Sequence, residues 1–141
     1  MSECILVEDT SGISVIYPVG RSISEILAQE LHSNAVYSVV EISSLPTTRV
    51  FRAAWRLQNG ALSIDLDAAK EIQIDRWRAA RAPLMSALDI AWIRAQEQND
   101  TVNMPIIAAK KQALRDVTAT DLSAIITPEE LEAVWPDVLT L

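Results

Sequence analysis

Few residues in this chain are of a type and spacing that could do chemistry. His32 is the sole histidine, and Cys4 the sole cysteine. A Ser-His-Asp triad would have to use His32, and no nucleophile-elbow sequence is present to partner it. At its expected place near a helix end, that imidazole suits the helix dipole instead. The only glycines are Gly12, Gly20 and Gly60, so there is no Gly-rich phosphate loop. Carboxylate pairs occur at Glu8/Asp9, Asp65/Asp67 and Glu129/Glu130. Such pairs can work as acid and base, but each lies where a turn, a helix start or a helix cap needs an acid. No segment matches a calcium-binding loop. A lone cysteine forms neither an intramolecular disulfide nor a multi-cysteine zinc site, and Cys4 beside Ile5-Leu6-Val7 reads as a buried strand thiol. The residues therefore point to no catalytic, cofactor or metal site, and to a protein that acts by binding.

Two groups of residues bear on that binding. Arg76, Arg78 and Arg81 lie on one long helical stretch. They either grip an anionic group or pair along the helix with Glu71, Asp75 or Asp89. Arg115-Asp116 reads as a local ion pair closing a helix. The second group is the tryptophans, Trp55, Trp77, Trp92 and Trp135. Trp92 belongs to an apolar seam. Trp77 shares that seam but has arginine neighbours, and Trp135 precedes a proline. Trp and Arg dominate binding hot spots, so Trp77 and Trp135 divide between core and interface.

The elements that must position these residues fall into two parts. Over residues 1–65 the sequence predicts a small α+β domain. Cys4–Val7 and Ser14–Tyr17 flank a polar turn, Glu8–Gly12, and form a hairpin. Ser22-Ile23-Ser24-Glu25 is a capping box opening a short amphipathic helix, Ile23 to about His32, which packs on the sheet. Val36–Ile42 is a strand. Phe51–Trp55 is ambiguous between a helical turn and a strand start. Asn59-Gly60, between Arg56-Leu57 and Leu62–Ile64, is a strong hairpin signal.

Over residues 66–141 the pattern is helical. From Asp67 to about Gln98, Ile74, Trp77, Leu84, Leu88, Ala91 and Ala95 recur at three, four or seven, and Met85 and Trp92 widen the seam. Pro83 interrupts, predicting either a kink near Ala80 or two abutting helices, Asp67–Arg81 and Pro83–Gln98. After a turn at Gln98–Thr101, a return helix runs from Asn103 to Arg115 with Met104, Ile107, Ala108, Lys111 and Leu114 on one face. Thr127-Pro128-Glu129-Glu130 carries a cap, a first-turn proline and a capping-box acid. It opens a final short helix, Pro128–Val134. The fold class is α+β: a β-β-α-β unit with hairpins, then a helical hairpin and a terminal helix.

Composition sets outer bounds. The 141 residues are half hydrophobic, enough for a real core. A net charge of −7 and a pI near 4.6 argue against nucleic acid as a partner. The N-terminus lacks the basic start and apolar stretch of a signal peptide, and no apolar run reaches the roughly 20 residues a membrane span requires. The expectation is a soluble protein made and kept in a reducing cytoplasm.

The segments Phe51-Arg52-Ala53-Ala54-Trp55, Arg78–Pro83, Ala87–Ala91, Lys111–Thr118, Thr127–Leu131 and Trp135-Pro136, in that order, resemble the tail fibre assembly proteins, or tail assembly chaperones, of tailed bacteriophages. The resemblance covers roughly Phe51–Pro136; the N-terminal unit does not share it. It implies a non-enzymatic protein that binds a tail fibre and assists its folding, trimerisation or attachment, in the host cytoplasm during assembly and, in some phages, retained on the virion tail. It implies partner-binding or motif roles for Trp77, Arg81, Arg115, Asp116 and Trp135. The alternative is a permanent component of the tail or baseplate, and a homo-oligomer is left open.

Overall fold

The computed structural model describes residues 2–29, 31 and 34–140. Its chain divides after Ala69 into two compact units.

In the first unit, β1 (Glu3–Asp9) pairs antiparallel with both β2 (Gly12–Ile16) and β3 (Val36–Glu41), giving the order β2-β1-β3. The turn between β1 and β2 is tighter than the sequence predicts. Asp9 makes this possible by accepting from both the N–H (2.8 Å) and the hydroxyl (2.6 Å) of Ser11. The hydroxyl bond foremost, then the N–H bond, lowers the Asp9 pKa.

Strand alternation sorts the side chains. Register places Leu6 opposite Val15 and Cys4 opposite Val40 on one face. That face builds a core with Ile13, Leu45 and Trp55, edged by Leu57, Leu62 and Ile64. Ile5, on the other face, is also buried, as is Ile26 of α1 (Ile23–Gln29). The α1 capping box forms as predicted: Glu25 N–H donates to Ser22 Oγ (3.2 Å), and Ser22 N–H to the Glu25 carboxylate (3.1 Å). α1 is described to Gln29; His32, the predicted end, lies outside the described residues.

The ambiguous Phe51–Trp55 stretch is both things at once. Arg52–Ala54 is a 3-10 turn and Trp55 starts β4 (Trp55–Gln58). β4 pairs with β5 (Ala61–Ile64) through Asn59 (φ 52°) and Gly60 (φ 78°). This doubly left-handed turn is what Asn-Gly accommodates at least cost. Two bonds tie this hairpin to the sheet: Leu57 N–H donates to Glu8 (3.0 Å), and Ser38 Oγ to the Gly60 carbonyl.

α2 (Leu66–Glu97) is capped at its start by Asp65, which accepts from Ala68 N–H (3.1 Å). It runs unbroken through Pro83, which sets aside the alternative of two abutting helices. Pro83 deprives the Ala79 carbonyl of its helical donor. Both residues are exposed, so water takes the donor's place. In the second unit α2 is followed by α3 (Asn103–Asp116), α4 (Pro128–Ala133) and a closing 3-10 turn (Asp137–Thr140). Asn99 makes the reversal before α3 with φ 52°. Asp100 accepts from Asn103 Nδ2 (2.7 Å) and N–H (3.1 Å), which lowers its pKa, the side-chain bond contributing most. Thr127 caps α4 by accepting from Glu130 N–H (3.2 Å), while the Glu130 carboxylate reaches back to Ile126 N–H (3.4 Å).

Among the described residues, no helix is long and apolar enough to cross a membrane.

Candidate functional site

Each acid pair singled out by sequence has at least one member bonded to the backbone. Glu8 and Asp9 hold the β4–β5 hairpin and the β1–β2 turn, Asp65 caps α2, and Glu130 backs the start of α4. Among the described residues, no group of three or more His, Cys, Asp or Glu side chains could hold a metal ion. Cys4 is fully buried, and burial raises its thiol pKa, with the charge of Arg49 working in the opposite direction.

The five residues expected to serve a partner have different fates. Trp77 is a correction. It is fully buried and its indole N–H donates to the Val134 carbonyl (3.2 Å). Its seven-residue-spaced seam turns inward, so no surface of it is left for a partner. Beside it lies a residue that sequence reading missed. Gln73 is fully buried, and its Nε2 donates to the carbonyls of Leu131 (3.0 Å) and Val134 (2.9 Å). Its Oε1 accepts from Arg76 (2.8 Å), and the Arg76 guanidinium lies over the ring of Trp135 at 5.4 Å from its centroid. Gln73, Arg76, Trp77 and Trp135 thus clasp the end of α4 to α2. A helix leaves its last carbonyls without intrahelical donors; here the Gln73 amide joins the Val134 N–H on the Leu131 carbonyl, and Gln73 and Trp77 both donate to the Val134 carbonyl. A glutamine between two isoleucines on a helix face was the only sequence signal, and it resembles any solvated glutamine.

Arg81 also serves the fold. Its guanidinium donates to the carbonyls of Leu114 and Arg115, each at 3.3 Å, at the C-terminal end of α3. Arg115 and Asp116 do not form the expected pair with each other. Gln112 stands between them, donating to Asp116 (2.8 Å) and accepting from Arg115 (3.4 Å). Leu114 is fully buried. The Ala-Leu-Arg-Asp motif is therefore a helix end: one residue in the core, two carbonyls held by Arg81, one carboxylate held by Gln112. Arg115, Asp116 and, in part, Trp135 retain exposed surface. Of the helix-pairing alternatives for the arginines, Arg78 meets Asp75 (2.6 Å), whereas Asp89 is taken by Lys111 of α3 (2.7 Å).

The predicted seam is partly covered inside the second unit. Ala95 is buried with Trp77, and Ile74, Leu84, Met85, Leu88, Ala91 and Trp92 are half-buried. The return face of α3 is half-buried at Met104, Ile107 and Lys111, although Ala108 is exposed. An apolar cavity of about 180 Å³ persists between Leu84, Ala87 and Leu88 of α2, Lys110 and Leu114 of α3, and Val138.

Exposed large apolar side chains lie in both units: Tyr17, Val19, Val36 and Tyr37 in the first, and five more in the second. Ile90 and Ile93 of α2 are about half exposed, as is Ile106 of α3, while Val102 is 73% and Ile126 is 75% exposed. Ile90 and Ile93, three apart, share a helix face, as do Val102 and Ile106, four apart.

No family model, curated protein or solved structure matches this chain.

Proposed function

We propose that this chain is a non-enzymatic, tail-associated protein of a tailed bacteriophage that binds a tail fibre and assists its folding, trimerisation or attachment. The observation that carries the reading is the set of aliphatic side chains on the outer surface of the helical hairpin. Ile90, Ile93 and Ile106 are about half exposed on α2 and α3, and Val102, just before α3, is 73% exposed, while other apolar residues of the same helices turn inward. Contiguous exposed apolar surface marks interaction sites. The motif order supports the reading in a second way. Trp77 donates to Val134, Arg81 holds the Ala-Leu-Arg-Asp helix end, and Arg76 lies over Trp135, so the motif residues are anchored to α2 and its neighbours. A growing fibre exposes apolar surface and unpaired strand edges before it closes, and an aliphatic helical face can shield them.

Co-expression of the tail fibre with and without this chain tests the proposal. Soluble, trimeric fibre is expected only in its presence, and unchanged fibre yield in its absence would refute the chaperone role. The protein content of purified particles then separates a transient helper, missing from the virion, from a permanent tail component.

A further inference from the structure

The hairpin is less acidic than the rest of the chain. Residues 66–116 carry eight basic and seven acidic side chains, and the stretch from Arg76 to Arg115 carries seven basic and three acidic, in a protein of net charge −7. Five of the seven are already engaged. Arg76 covers Trp135, Arg78 meets Asp75, Arg81 holds the end of α3, Lys111 meets Asp89 and Arg115 meets Gln112. The two that remain, Arg94 and Lys110, are exposed and have no partner among the described residues. They come from different helices, yet both line one shallow groove of about 340 Å³ whose apolar wall includes Ala91, Ala95, Ile106 and Ile107. Asp100 also lines it, and its carboxylate, held in its charged form by the two Asn103 donors, sets one negative charge against the two positive ones.

Two unpaired cations on opposite walls of an aliphatic groove fit one kind of occupant. We infer that this groove receives an acidic amphipathic segment of the partner polypeptide, its carboxylates meeting Arg94 and Lys110 and its aliphatic side chains resting on Ile106. Guanidinium and ammonium groups supply the charge-assisted donors such a segment needs. Complementary charge fixes register and speeds encounter more than it adds affinity. The inference rests on the docking role proposed above for the hairpin and adds the chemistry of what docks.

A pair of short amphipathic helical peptides with identical isoleucines, one bearing glutamates at its polar positions and the other lysines, tests it by titration into the isotope-labelled full chain. The acidic peptide is expected to bind about ten-fold more tightly, shifting the amide resonances of Arg94, Ile106, Ile107 and Lys110, and Arg94→Glu/Lys110→Glu should reverse the preference. Equal binding of the two peptides, shifts confined to other residues, or an unchanged preference in the double variant would overturn it. So would dimerisation of the peptide-free chain that the double variant abolishes, because a second copy would then be the occupant. The titration is separate from the fibre test. Discrimination between the peptides together with unchanged fibre yield would leave the groove's chemistry standing and remove the tail-fibre reading.

Discussion

Trp55 and Trp77 are both buried, one in each unit, and they do different work. Trp55 sits in the apolar core of the first unit, with Arg49 over its ring at 5.2 Å, and its indole N–H is the buried side-chain polar atom that finds no acceptor among the described residues. It fills space. Trp77 also fills space, but its N–H joins Gln73 on the Val134 carbonyl. In the first unit the sheet ladders satisfy the backbone, so a tryptophan can be a purely apolar filler. In the second unit a six-residue helix ends against a long one, and side chains add to the single backbone donor, Val134 N–H, that reaches the Leu131 carbonyl. The difference shows why a tryptophan flanked by arginines can read as an interface residue and yet be a clamp: polarity around it serves the polypeptide's own backbone.

That contrast can be broken in graded steps. Trp77→Ala removes the largest buried side chain of the second unit together with a bond to Val134, and a loss of about 3–5 kcal/mol is expected from urea denaturation. Gln73→Leu keeps the volume but takes a donor from Leu131 and Val134; a loss of about 1–3 kcal/mol is expected, and a neutral result would show that water replaces the amide. Comparing Trp77→Phe with Trp55→Phe isolates the N–H, because both shrink the ring alike. The Trp77 variant should lose about 1 kcal/mol more, and equal losses would mean the Val134 bond contributes nothing net. The smallest effect is on Cys4. Burial and a raised thiol pKa should make it react with a thiol reagent at neutral pH far more slowly than the unfolded chain does. Rapid labelling of the folded protein would show that the first unit opens locally.

The elements were largely legible because their signals are local. The Ser22–Glu25 box, Asn59-Gly60, and Thr127-Pro128 each act over three or four residues, and each forms where expected. Pro83 misled in one respect: a proline on the exposed side of a long helix leaves a carbonyl that water can satisfy, so the helix need not divide. The site was less legible. Trp77 and Arg81 look like surface hot-spot residues, but their partners lie between 33 and 57 positions away, and no local pattern announces such partners. Gln73 escaped for the same reason, since its acceptors are 58 and 61 residues distant. The predicted seam was correctly apolar, yet periodicity alone does not say whether a stripe meets the return helix or a second protein. Ile90, Ile93 and Ile106 fall off that stripe and are the ones left in water.

The most direct test of the account is fibre co-expression with Ile93→Asp/Ile106→Asp. Both positions are exposed, so the variant should keep the wild-type urea midpoint to within about 0.5 kcal/mol per site. The account predicts that this folded variant no longer yields soluble, trimeric fibre. Wild-type amounts of trimer with the variant would contradict it, because the outer aliphatic face of the hairpin would then not be what the fibre meets.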